Sequence, residues 1–152
     1  MVDSSTPLFD CEQCLFKTIS CQYLSADEFE LIRRKSVQLN FEKGETIVKQ
    51  GGKSTHLIFL HKGILKFTYH NQNGKNFIMT IVSGPKLLGG ANLFFKNTNV
   101  FSLVAVEPCE ICLIDEGAFK RTLINHGNFL LILFERTIEM FQSSIFNFIS
   151  LA

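Results

Sequence analysis

The sequence predicts a mainly β fold with flanking helices: a double-stranded β-helix or jelly-roll barrel followed by one long C-terminal helix. Three observations carry this expectation. Short apolar runs of strand length recur between glycine corners at Gly44, Gly51-Gly52, Gly63, Gly74 and Gly84, the pattern of antiparallel sandwiches and barrels. The pair Asn73-Gly74 divides two alternating runs, the strongest short-range hairpin signal. From Asn128 onward the apolar spacing changes from two to three and four, which ends the strands and starts a helix.

The elements follow in chain order. Cys11 to Cys21 forms a cysteine-bearing lead. Ser25-Ala26-Asp27-Glu28 reads as a capping box opening an amphipathic helix with Phe29, Ile32, Ser36 and Leu39 along one side. Phe41 ends a short strand before a charged glycine turn, Thr46 to Val48 forms the next, and His56 to Lys62 a third that stops at Gly63. Leu65, Phe67 and Tyr69 point one way before the Asn-Gly turn, as do Phe77, Met79 and Ile81 after it. Gly84-Pro85 breaks that strand. Leu87 to Phe95 is expected to hold a strand end, a glycine corner and one helical turn. Phe101, Leu103 and Ala105 mark another strand, Pro108 ends it, and Ile111 to Ile114 form the last. Asp115 is the expected N-cap of a short helix reaching about Ile124 and closed by Asn125-His126-Gly127.

In the final helix Leu131, Phe134, Ile138, Phe141, Ile145 and Phe148 follow one another at spacings of 3, 4, 3, 4 and 3, an a/d seam. Leu130, Leu133 and Ile149 supply a second stripe. One stripe suits the chain's own barrel and the other a partner, although both could be filled within one chain.

Composition narrows the function. The 152 residues are 46% hydrophobic, enough for a substantial core, and the net charge of +1 gives no basic field with which to hold nucleic acid. Met1 to Asp10 lacks the basic start and apolar run of a signal peptide. The apolar stretch Phe129 to Phe134 is far shorter than the roughly 20 residues that span a bilayer. A cytoplasmic location without membrane contact is therefore expected. The five cysteines then favour thiols or a metal site over a disulfide framework. His56, His61, His70 and His126 form no H-x-H pair of the kind a cupin metalloenzyme needs. No G-x-S-x-G, Walker loop or paired-carboxylate site appears, so no enzymatic activity is expected.

The text Phe41 to Gly52 followed by His56 to Gly63 resembles the first half of the cyclic-nucleotide-binding domain, as found in Crp/Fnr transcription regulators. The Asn71 to Gly74 hairpin, the corner at Leu88 to Phe94 and Cys112 to Lys120 extend the resemblance, which runs from about Ser25 to Leu151. It implies a lead over 1–24, a jelly-roll sensor domain over 25–127 and a dimerisation helix over 128–152. It also implies a homodimer that relays an effector or redox state through that helix. DNA would be read only by a C-terminal helix-turn-helix, which is missing after Ala152; the chain is then either a truncated piece or a stand-alone sensor.

The resemblance can be followed into the effector pocket, for which Gly89, Gly90, Ala91, Asn92, Phe101 and Ser102 are the candidate residues. In cyclic-AMP-binding members a glutamate at this corner takes the ribose hydroxyl and a nearby arginine neutralises the cyclic phosphate, since a buried phosphate requires a paired cation. Here Gly90 stands at the glutamate position and Asn99 to Ser102 contains no cation, so cyclic AMP is not the expected effector. Fnr-type members hold a [4Fe–4S] cluster on three N-terminal cysteines and one in the barrel. Cys11, Cys14, Cys21 and Cys112 are the matching candidate ligands, although the second gap is one residue longer than in that pattern. Zinc or a thiol switch is the second reading of the same thiols, and ordinary buried cysteines the third. A metal-free module of the same fold, binding a small ligand or a protein, is the alternative function; the 16 phenylalanines would line its pocket or fill its core.

Overall fold

Alternating apolar residues and glycine turns build two four-stranded antiparallel sheets in this computed structural model, which describes residues 14–88 and 98–150, with the side chains of 15, 141, 147 and 148 outside that description. The elements are α1 (Leu15–Ser20), α2 (Ala26–Arg34), β1 (Ser36–Phe41), β2 (Thr46–Val48), β3 (His56–Lys62), β4 (Ile64–His70), β5 (Asn76–Ser83), β6 (Lys86–Leu88), β7 (Ser102–Ala105), β8 (Cys109–Asp115), α3 (Glu116–Leu123) and α4 (Gly127–Ser150). One sheet runs β1-β8-β3-β6 and the other β2-β7-β4-β5. Together they form the expected jelly roll, with α4 as the expected C-terminal helix.

The capping box forms as read: the Glu28 N–H donates to Ser25 Oγ at 3.2 Å, and the Ser25 N–H donates to the Glu28 carboxylate at 3.0 Å. The helix it opens is shorter than expected. It ends at Arg34, and the Ser36 hydroxyl donates back to the Ile32 carbonyl at 2.8 Å. Ser36 and Leu39 belong instead to β1, where they pair with Ile114 and Ile111 of β8. The run Val37 to Phe41 carries a period of two, and pairing along all of β8 outweighs continuation of the helix.

The hairpin at Asn71 to Gly74 also forms, but with a register shift between Phe67 and Thr68. Leu65 and Phe67 therefore pair with Val82 and Thr80, while Tyr69 pairs with Phe77. Val82 is 3% exposed and Ile81 60% exposed, so the shared direction expected for Phe77, Met79 and Ile81 does not hold along the strand. One extra residue in a strand moves every later side chain to the opposite face. Between β3 and β4, Gly63 adopts φ +115°, and a Cβ there would meet Cys109 Sγ at 2.6 Å and the Pro108 carbonyl at 2.8 Å. Glycine is required at that corner because the β8 backbone passes against it.

Alternation along β3 and β8 divides the apolar residues into two cores. Ile58, Leu60, Cys109 and Ile111 face the barrel interior with Leu65, Val82, Leu88, Leu103 and Ala105. Leu57, Phe59 and Ile114 face outward and meet Phe16, Phe29, Phe119, Leu123 and Phe129 from the four helices. Asp115 caps α3 through the Ala118 N–H at 2.8 Å, as expected, and so starts the turn that brings α4 onto this helical layer.

Candidate effector site and helix seam

The barrel end nearest the candidate pocket is lined by rings. Phe101 stands between Phe67 and Tyr69, with centroid separations of 6.1 and 6.2 Å and nearly perpendicular planes, the edge-to-face arrangement that aromatic quadrupoles favour. Of the sequence candidates, Phe101 and Ser102 are placed here. Gly89, Gly90, Ala91 and Asn92 lie outside the described residues, as do Lys96 and the rest of that corner.

The segment where the resemblance would require an arginine is stitched to the β2–β3 corner. The Asn99 N–H donates to the Gly52 carbonyl and the Gly51 N–H to the Asn99 carbonyl, both at 2.8 Å. The Asn99 side-chain amide donates to the Lys49 carbonyl at 3.3 Å, and Ser102 Oγ accepts from the Gln50 N–H at 2.9 Å. Gln50 also clasps β4, its amide donating to the His70 carbonyl at 3.0 Å and its oxygen accepting the His70 N–H at 2.8 Å. The polar groups of Asn99 and Ser102 thus serve the backbone of the corner, and the segment supplies no cation for a phosphate. Sequence reasoning did not single out Gln50, because its partners are 20 and 52 residues away.

The cysteines divide by environment. Cys109 is buried in the barrel, and its thiol donates to the carbonyls of Ile64 at 3.4 Å and Glu107 at 3.1 Å. Burial pushes that thiol above its ordinary range. Cys14 is buried at the N-cap of α1, and Cys112 is half-buried on the same helical face of β8, packed against that core. Cys21 is exposed at the other end of α1. Seven residues of helical rise set Cys14 and Cys21 about 10 Å apart along the axis. Among the described residues no three Cys, His, Asp or Glu gather where they could hold a metal ion, and Cys11 lies outside them. Cys14 and Cys21 thus stand at opposite ends of α1, with Cys112 on β8.

α4 presents two different faces. Phe129 is fully buried, and Leu130 and Leu133 pack beside it in the helical core. On the opposite side Leu131, Ile138 and Ile145 are 66%, 41% and 58% exposed, with Phe134 also exposed. Phe141 and Phe148 lie outside the described side chains. Ile149, of the second stripe with Leu130 and Leu133, is exposed as well. A further link escaped the sequence reading: His126, just before α4, meets Glu28 of α2 at 2.6 Å. That contact, then the Ser25 N–H, holds the Glu28 carboxyl below the usual carboxylate range. Among the described residues no helix is long and apolar enough to cross a membrane.

The architecture has solved counterparts. It is similar to the sensor domain of the transcriptional regulator DNR from Pseudomonas aeruginosa, with TM-score 0.72 and 19% identity over 86% of this chain and 88% of that one. A transcriptional regulator from Thermotoga maritima matches with TM-score 0.65 and 21% identity over 82% and 96%. The c-di-GMP-responsive global regulator CLP from Xanthomonas campestris matches with TM-score 0.68 and 13% identity over 83% of this chain and 63% of that one. DNR and CLP are Crp/Fnr-type regulators, and at such identities the likeness is one of fold. No curated protein sequence matches the chain significantly. Residues 38–126, from β1 to the turn before α4, match the cyclic nucleotide-binding domain, and the chain belongs to that family.

Proposed function

We propose that this chain is the effector-sensing domain of a Crp/Fnr-type transcriptional regulator, non-enzymatic, homodimeric, and relaying its state through α4 to a DNA-binding domain outside this sequence. The observation that carries the reading is the two-faced α4. Its first turns are anchored in the aromatic layer by Phe129 and Leu133, while Leu131, Ile138 and Ile145 present an apolar seam to solvent. A seam with a spacing of three and four is suited to a second copy of the same helix, and a shift in its seat on the barrel would alter the geometry of the pair.

Cyclic AMP is not the effector in this reading. The corner has Gly90 where a ribose-binding carboxylate would stand, and Asn99 and Ser102 are committed to the backbone of the β2–β3 corner. A buried phosphate without a paired cation is strongly disfavoured. Calorimetric titration of the chain with cyclic AMP should give no saturable heat at millimolar ligand; a micromolar site would overturn this part. The cysteine lead enters the proposal only as a lever on α1. A metal there would require Cys14 and Cys21 to approach each other, and measured metal content of chain purified without oxygen decides whether one is held.

A further inference from the structure

The barrel-facing stripe of α4 changes chemistry halfway along. At 100° per residue, Phe129, Leu133, Arg136, Met140 and Ser143 fall within about 40° of one line. Phe129 and Leu133 fill the helical core and Met140 packs against the barrel core, while Arg136 and Ser143 on the same stripe are exposed and leave the space beside the apolar wall unfilled. A cavity of about 720 Å³ opens there, with Ile81, Pro85 and Leu87 on the far side and Phe16 and Phe59 at its inner end. That volume lies within the roughly 300–1,000 Å³ range of small-molecule sites. It is built on the outer surface of the barrel and does not include Phe101 or Ser102.

Two cations line the cavity from opposite walls, Lys86 on β6 and Arg136 on α4. Among the described residues neither has a hydrogen bond or ion pair to another side chain. Glu135 and Glu139 also line it, but they turn about 80–120° away from the stripe, onto the flank of the helix. Of the three α4 charges that line the cavity, Arg136 is therefore the one on the barrel-facing stripe. Apolar surface at the inner end and cations at the walls complement a molecule with a hydrophobic body and an anionic head.

We propose that this cavity binds an amphipathic carboxylic acid, its chain against Phe16, Phe59 and Leu87 and its carboxylate met by Arg136 and Lys86. Because α4 is one wall, such a ligand biases how the helix sits on the barrel to the extent that it binds one seating better than another. The inference goes beyond the sensor reading and does not depend on it.

Dodecanoate, titrated calorimetrically into the whole chain below its micelle concentration, is the probe. One saturable site is expected, weakened about tenfold in Arg136→Gln and less in Lys86→Gln. Dodecanol should bind the wild type and Arg136→Gln equally, which isolates the head group. Both positions are exposed, so the variants should melt as the wild type does, and that is checked alongside. No saturable dodecanoate binding, an unchanged affinity in Arg136→Gln, or tighter binding of dodecyltrimethylammonium would each overturn the proposal. The readout needs neither DNA nor a dimer, so its failure and that of the sensor reading are separable.

Discussion

The two faces of the β1-β8-β3-β6 sheet are packed in different materials. On the outer face the rings form a chain: Phe16 lies 5.5 Å from Phe59 and 6.1 Å from both Phe29 and Phe119, Phe119 lies 6.0 Å from Phe129, and Tyr23 stacks on Phe129 at 5.2 Å. The buried barrel interior is mainly aliphatic, built from Ile58, Leu60, Leu65, Val82, Leu88, Leu103 and Ile111, with the partly buried rings of Phe41 and Phe67 packed against it. Branched aliphatic side chains pack a fixed sandwich, while the large flat rings tie α1, α2, α3 and the start of α4 to β3. The barrel keeps its shape through one core, and the start of α4 is held to it through the other, with Met140 further along α4 packed against the barrel core.

The largest expected effect breaks the aromatic side. Phe129→Ala should cost about 3–5 kcal/mol, read from urea unfolding, and should lower amide protection along the first half of α4. Leu60→Ala, in the aliphatic core, should cost about 2–5 kcal/mol while leaving α4 protection to fall only with global unfolding. If Leu60→Ala released α4 first, the two cores would not be separate units.

A smaller effect concerns the link between α2 and α4. The contact with His126, and then the Ser25 N–H, lowers the Glu28 carboxyl pKa in the folded chain. A depressed folded value means stability that is present above the ordinary carboxylate range and is lost as pH falls through the lowered value. The stability difference between wild type and Glu28→Gln should therefore be full at neutral pH and shrink on the acid limb. Both side chains are partly exposed, so the difference will be modest. A gap of the same size at every pH would show that the contact is not ionic.

Much of this was legible in the sequence, for local reasons. The Ser25–Glu28 box, the Asp115 cap, the Asn73-Gly74 turn and the corners at Gly44 and Gly51 each act within a few residues, and each formed as read. The errors arose where distant pairing decides. Ser36 and Leu39 fit a helical stripe but are held in β1 by β8, and the bulge after Phe67 leaves no mark in the alternation of β5. Leu57-Ile58-Phe59-Leu60 is an unbroken apolar run, so only the structure assigns its members to two cores. Spacing likewise gave no separation between Cys14 and Cys21, which the six residues of α1 set at its opposite ends. The Glu28–His126 pair spans 98 positions and has no local signal. The corner Gly89 to Asn92 and Cys11 lie outside the described residues.

The central claim is that the outward face of α4 is a seam for a second copy. Sedimentation equilibrium of the chain, beside Ile138→Glu, tests it most directly. Ile138 is exposed in the single chain, so the substitution should leave thermal stability at low concentration unchanged. The account predicts a particle of about 35 kDa, twice 17.3 kDa, for the wild type and a monomer for Ile138→Glu at the same concentration. A wild-type monomer at a concentration of about 100 μM, well above the range of stable interfaces, or an Ile138→Glu dimer as tight as the wild type, would contradict it.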